Sequence, residues 1–229
     1  RLEETEAQVI STRGTVRIER NGTPLAVAKG MAVKPGDRIS AAEASSITLK
    51  FPDGSTSSLH ANTNARIDVM QAVPGTDLIA HRLRLDAGRI ENAVTPRSNS
   101  ASRFEMATPV AVIGVRGTKF RVTVDETSRG EIVEGKVEAK GTGSPTPVGV
   151  GAGYGTIVPA NGVPSAPIAL LPAPNLKNLP SAFTVRRPII AFDPVPNAES
   201  YRVLVATDAE FTDLLGESIT KTPRAQIDT

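Results

Sequence analysis

The chain has 229 residues, with 26 Lys and Arg against 24 Asp and Glu and a formal net charge of +2. This near-balance excludes an electrostatic grip on nucleic acid as the main activity. The absence of Cys excludes disulfides, thiol chemistry and cysteine-rich zinc sites, and the two His leave little for general-base or metal designs.

Aromatic residues make up 3% of the chain and Trp is absent, so no base-stacking platform is expected. Gly (19) and Pro (18) break helices and punctuate turns, which points away from a helical protein. No run approaches the roughly 18 apolar residues of a membrane-spanning helix. Opening on Arg1 rather than Met is expected of a processed or excised piece.

In chain order, residues 2–10 are compatible with a short helix through Leu2, Glu3, Glu4, Ala7 and Gln8. Period-two alternation then takes over. Val16 and Ile18 alternate with Arg17 and Glu19; Ile47, Leu49 and Phe51 with Thr48 and Lys50. Ile67 and Val69 flank Asp68, Leu83 and Leu85 alternate with Arg82, Arg84 and Asp86, and Phe120, Val122 and Val124 alternate with Lys119, Arg121 and Thr123. Successive strand side chains point to opposite faces, so each run offers one apolar and one charged face. Arg20-Asn21-Gly22 suits a tight hairpin, because Asn and Gly tolerate positive φ. Pro35-Gly36-Asp37 and Pro52-Asp53-Gly54-Ser55 read as further turns. Gly88-Arg89-Ile90-Glu91 and Gly135-Lys136-Val137-Glu138 share one pattern, with Gly36-Asp37-Arg38-Ile39 a looser copy, which hints at stacked β-arcs.

Residues 141–182 change character. Gly, Pro, Ser and Thr dominate 141–155, and Pro recurs from Pro159 to Pro180. Such a stretch suits an edge segment followed by an extended linker. A second alternating unit begins near Phe183 and includes Ile189, Ile190, Phe192, Tyr201, Val203 and Val205. It is short for an independent sandwich of about 100 residues, so it is expected to be cut short or to lean on the first unit. Thr207 to Leu215 could add one or two helical turns capped by Thr207 or Asp208.

The ordered motifs of residues 12–158 resemble FecR-type domains. They are Gly14-Thr15-Val16, Gly36-Asp37-Arg38-Ile39, Phe51-Pro52-Asp53-Gly54-Ser55, Asn64-Ala65-Arg66-Ile67, Leu85-Asp86-Ala87-Gly88-Arg89 and Phe104-Glu105-Met106-Ala107-Thr108-Pro109. The most specific is Val115-Arg116-Gly117-Thr118-Lys119-Phe120-Arg121-Val122, followed by Val133-Glu134-Gly135-Lys136-Val137. The resemblance implies an all-β sensor or scaffold domain in the periplasm of Gram-negative bacteria. In the archetype it relays a signal from an outer-membrane ferric-siderophore transporter to an extracytoplasmic sigma factor. No transmembrane helix or cytoplasmic anti-sigma segment is visible among these residues. Past the Pro-rich stretch, Pro188, Phe192, Pro194, Ala198, Tyr201, Val203 and Phe211 resemble the start of a fibronectin type III-like domain. That order is similar to FecR-domain envelope proteins that also carry lysin motifs.

Arg116-Gly117-Thr118 is the sharpest local feature, since Gly admits close approach of a partner and Arg offers a planar donor fork. The structural alternative is a bend at a strand entry, with Arg116 tied to backbone carbonyls, Asp37 or Asp53. Arg82, Arg84 and Arg89, with Arg97 and Arg103, form the most basic region and could meet an acidic partner or an anionic wall polymer; a solvated strand face is the alternative.

His60 and His81 lie apart with no ligand-like spacing. Asp125, Glu126, Glu131 and Glu134 read as charged hairpin tips rather than a glycosidase pair. Gly149-Val150-Gly151-Ala152-Gly153 lacks the following helix of a dinucleotide loop, and no Gly-x-Ser-x-Gly elbow is present.

The expectation is therefore an all-β protein. Residues 1–158 form a FecR-like sandwich or β-solenoid-like stack, 159–182 a Pro-rich linker and 183–229 a partial fibronectin type III-like unit. The function expected is a non-enzymatic envelope module without cofactor or metal, contacting an envelope protein or a peptidoglycan-type polymer through Arg82, Arg84, Arg89, Arg116, Gly117 and Thr118. A structural spacer is the alternative.

Overall fold

The computed structural model describes every residue except Ser181, which falls in the connector expected at 159–182. The described residues are all-β, with strands β1 to β22 and no helix. They divide into two compact units, Arg1–Ala169 and Leu170–Thr229.

The first unit is a pair of open sheets. The first sheet runs in the order β4 (Thr23–Leu25), β3 (Val16–Arg20), β6 (Arg38–Ala41), β9 (Thr63–Ala72), the first half of β10 (Ile79–Ala93), β11 (Arg103–Ala107), β12 (Ala111–Val115), β15 (Lys136–Gly141) and β16 (Val148–Gly151). The two-residue β1 (Glu3–Glu4) pairs with the far end of β9. Only β10–β11 is parallel in this sheet. The second sheet runs β5 (Ala32–Val33), β2 (Ala7–Arg13), β7 (Ser46–Lys50), β8 (Thr56–Leu59), the second half of β10, β13 (Lys119–Val124), β14 (Ser128–Glu134), β17 (Tyr154–Val158) and β18 (Ile168–Ala169), antiparallel throughout.

Alternation explains the core. Ile18, Ile39, Ile67, Leu83 and Leu85 of the first sheet are buried with Ile47, Leu49, Leu59, Ile90 and Val122 of the second in one apolar cluster. Burial of each such side chain stabilises by roughly 1.5–3 kcal/mol before chain entropy is subtracted. β10 shows how strictly this is kept. Ile79, His81, Leu83 and Leu85 are buried before Gly88, and Ile90 and Asn92 after it. The inward parity switches from odd to even where the strand passes between sheets, at a register shift between Leu85 and Ala87. A one-residue slip turns every later side chain to the other face, and here it keeps the apolar ones inside.

Elsewhere the chain changes sheets at corners with a left-handed residue. Gly117 (φ 81°) turns β12 into β13 with its Cα so close to Pro96 that an added Cβ would lie 2.3 Å from Pro96 Cα. Ala44 and Asn62 take the same conformation without being Gly (φ 52° and 57°). Hydroxyls tie adjacent corners together: Ser45 Oγ accepts from Thr15 N–H (2.8 Å), Thr63 Oγ1 from Arg89 N–H (3.0 Å), and Thr118 Oγ1 donates to Lys136 C=O (3.2 Å).

Turns expected at Asn21-Gly22, Gly36 and Gly54 form as read, each with positive φ. The short helices do not. Residues 7–13 form β2, because Ala7, Val9 and Ser11 are buried on one side at period two. Near Thr207, Asp208 accepts from Thr212 N–H (3.0 Å) and Asp213 N–H (2.7 Å), but Phe211 at φ 56° closes a turn rather than a helix.

In the second unit β19 (Ile189–Ala191) pairs with β22 (Arg224–Gln226), and β20 (Tyr201–Ala206) with β21 (Leu214–Thr220). Ile190, Val203, Ala225 and Ile227 form its small core. Phe192 meets Tyr201 edge-on with ring centroids 4.9 Å apart.

Candidate interaction surface

The outward positions of the first sheet form a charged grid. Register places Glu19 of β3 opposite Arg38 of β6, Arg38 opposite Arg66 of β9, and Arg66 opposite Arg84 of β10. Three arginines thus stand directly across from one another on adjacent strands, where like charges are mutually unfavourable. Each relieves this differently. Arg66 Nε donates to Asp68 along its own strand (2.6 Å), Arg84 Nε donates to Asp86 likewise (3.0 Å), and Arg38 is exposed with no side-chain hydrogen bond or ion pair among the described residues. The Arg66 guanidinium is held above its ordinary pKa by that Asp68 bond and charge. A cleft of about 720 Å³ opens beside the first two of these arginines, lined by Glu19, Asn21, Gly22, Gly36, Arg38 and Arg66. Its floor is fixed by Asp37, fully buried, which accepts from Arg20 (2.7 and 2.8 Å) and from Lys34 N–H (2.8 Å).

The residues expected to bind a partner do not form one face. Arg82 and Arg84 point outward from the first sheet, Arg82 donating to Glu105 on β11 (Nε, 2.7 Å). Arg89, five residues on, points outward from the second sheet because parity has switched at Gly88. There it is mostly buried (14% exposed) and bonds Thr123 Oγ1 (2.9 Å), Glu131 (3.1 Å) and Glu91 (3.3 Å). Arg121 reaches the same two acids at 3.4 and 3.8 Å, completing a quartet. Burial pushes the Arg89 pKa down, but Glu131 and Glu91 more than offset it, and it stays raised; the same burial would raise Glu131, but Arg89 and Arg121 hold it lowered. Arg116 is exposed at the β12–β13 corner, while Gly117 packs on Pro96 and Thr118 is buried, exchanging backbone hydrogen bonds with Val94. The arginines that hold Asp37 and Asp53 are Arg20 and Arg97, not Arg116.

Among the described residues, no group of three or more His, Asp or Glu could hold a metal ion. Glu131 sits mid-strand in the quartet rather than at a hairpin tip, whereas Asp125 does sit at the β13–β14 tip, paired with Arg129. His60 lies 3.7 Å from Glu91. His81 is buried between Phe51 (5.2 Å, stacked) and Phe104 (6.2 Å, edge-on), with neither ring nitrogen hydrogen-bonded, and burial lowers its pKa.

Arg38 and Arg66 escaped the sequence reading as surface residues. The available signal was the dipeptide Arg-Ile, which recurs at 17–18, 38–39, 66–67 and 89–90. Every Ile of the four is buried, so every Arg is sent to the opposite side.

Among known families, the model of the FecR protein family matches residues 37–138, which include Arg38, Arg66, Arg84 and the Arg116 corner. That family is regulatory and non-enzymatic. No curated protein matches the chain. Two crystal structures, at 1.65 and 2.50 Å resolution, of a candidate anti-sigma factor from Parabacteroides distasonis ATCC 8503 are similar, each with a TM-score of 0.46 and 21% identity. The alignment covers 56% of this chain and 57% of that one, so the chain spans little more than half the length of the solved protein.

Proposed function

We propose that residues 1–158 form a non-enzymatic binding or signal-relaying module of the bacterial cell envelope, and that another envelope component docks on the outward face of its first sheet. The observation that carries this reading is the family match at 37–138, which falls on the strands that build the Arg38–Arg66–Arg84 row. A periplasmic location goes with it. Arg82 and Arg84 share that face, and Arg116, exposed at the corner that Gly117 and the buried Thr118 hold in place, offers a second contact. Residues 159–182 are proposed as a connector, and 183–229 as a partial fibronectin type III-like unit. The second assignment is supported by Tyr201 at the start of β20, whose hydroxyl accepts from Val195 N–H (2.9 Å), the kind of tie that fixes corners in such sandwiches.

Photo-crosslinking tests the module. With a photoreactive residue at Asn64, beside the row, a discrete crosslinked species is expected in the envelope fraction of the native host, and none from Lys29. Absence of any discrete species from Asn64, Arg82 and Arg116 positions alike would overturn the reading.

A further inference from the structure

Resting on that reading, we propose that the Arg38–Arg66–Arg84 row takes the carboxylate side chains of an extended acidic segment of a partner protein. The row crosses two strand spacings, about 10 Å, with one guanidinium fork per strand. Side chains on one face of an extended peptide recur about every 7 Å, so two acids two residues apart fall within the reach of these long side chains. Guanidinium groups present paired N–H donors matched to a carboxylate. Arg38, with Glu19 opposite it on β3, forms no ion pair among the described residues. Arg66 and Arg84 are each engaged through Nε, by Asp68 and Asp86. The opposed positive charges are therefore incompletely neutralised by this chain, and an incoming carboxylate completes them.

The same grid selects against polyanions. Glu19, Asp68 and Asp86 are interleaved with Arg17, Arg38, Arg66 and Arg84, leaving the face only slightly positive. Closely spaced phosphates would meet these acids, whereas single carboxylates can sit between them. Asn21, which lines the larger cleft, and Asn64, which lines a smaller one that shares Glu19, Arg38 and Arg66 with it, are both exposed and offer carboxamides to the peptide groups of the bound segment. The site is shaped in advance, since the Arg20–Asp37 pair fixes the turns that carry Asn21, Gly22 and Gly36.

The test is fluorescence anisotropy of a labelled peptide alternating Glu and Ser, titrated with the full chain. Saturable, salt-sensitive binding is expected, weakened at least tenfold by Arg38→Glu and by Arg66→Glu. Lys140→Glu, which makes the same charge change on a distant strand of the sheet, should leave binding unchanged. Replacing every Glu of the peptide by Gln should abolish binding to the wild-type chain. No saturable binding up to about 1 mM peptide overturns the proposal, as does equal weakening by Lys140→Glu. Purified peptidoglycan sacculi form a second arm: Arg38-dependent co-sedimentation without peptide binding would assign the face to the wall polymer instead. If the Asn64 crosslink persists while the acidic peptide fails to bind, only this inference falls; if the Asn64, Arg82 and Arg116 crosslinks are all missing too, the module reading falls with it.

Discussion

Arg20 and Asp37 face each other across 17 residues of chain, and their two-pronged contact joins the β3–β4 hairpin to the turn entering β6. Asp37 has no access to solvent, while Arg20 is about one-third exposed. Removing the arginine leaves a buried carboxylate with only a backbone donor. Such uncompensated charges are costly, but the exposed side of the pair is screened. Arg20→Met is expected to lower stability by about 2 kcal/mol, read as a shift of the urea midpoint with an unchanged slope. A shift below about 0.5 kcal/mol would show that the pair contributes as a surface bridge does.

Gly117 and Gly22 share nearly the same positive φ but differ in surroundings. A Cβ at Gly117 would collide with Pro96, whereas one at Gly22 meets nothing within 4 Å. Gly22→Ala should therefore cost only the conformational penalty, about 1 kcal/mol. Gly117→Ala should cost about 3 kcal/mol or prevent folding, because the backbone of two corners must separate. Thermal unfolding of both variants checks the ranking; equal losses would contradict the packing of this corner.

His81 makes stability depend on acidity. Its folded pKa is lowered by burial, with the charge of Asp53 opposing and that of Arg97 adding to the shift. The unfolded chain takes up this proton near pH 6.5, and the folded one only at lower pH. Stability is thus fully present above about pH 6.5 and is lost as pH falls toward the folded value, at up to about 1.4 kcal/mol per pH unit. His81→Leu removes this slope: unfolding measured at pH 7.5 and 5.5 should show a smaller acid loss in the variant than in the parent. Parallel losses would place the acid sensitivity elsewhere.

Arg89 and Glu131 are both largely buried and each shifts the other's titration in the stabilising direction. A double-mutant cycle with Arg89→Met and Glu131→Gln should return a coupling of about 1–2 kcal/mol. A coupling near zero would mean that Arg121 and Glu91 take over when either partner is removed.

Much of the fold was legible because inward parity is written directly in the chain. Leu83 and Leu85, or Phe120, Val122 and Val124, announce which side is buried. Asn21-Gly22 and Gly135 announce where the chain turns, whereas Gly88, of the same repeat pattern as Gly135, marks where β10 passes from one sheet to the other. The surface was much less legible. That Arg38, Arg66 and Arg84 meet depends on strand order, which brings residues 18 to 46 positions apart into register, and no local pattern encodes it. Arg84 and Arg89 looked like one basic cluster, yet the bulge before Gly88 sends them to opposite sides of the sandwich. At residues 7–13 the alternation of Ala7, Val9 and Ser11 prevailed over the helix-compatible composition, because the position beside β7 rewards a strand.

β10 belongs to both sheets without a turn in between. A tug on the strands around Arg84 is consequently delivered to those around Arg89 along a single stretch of extended backbone. The two halves of the sandwich are riveted through their middle, and sliding one over the other would require that rivet to break its hydrogen-bond ladders on both sides at once.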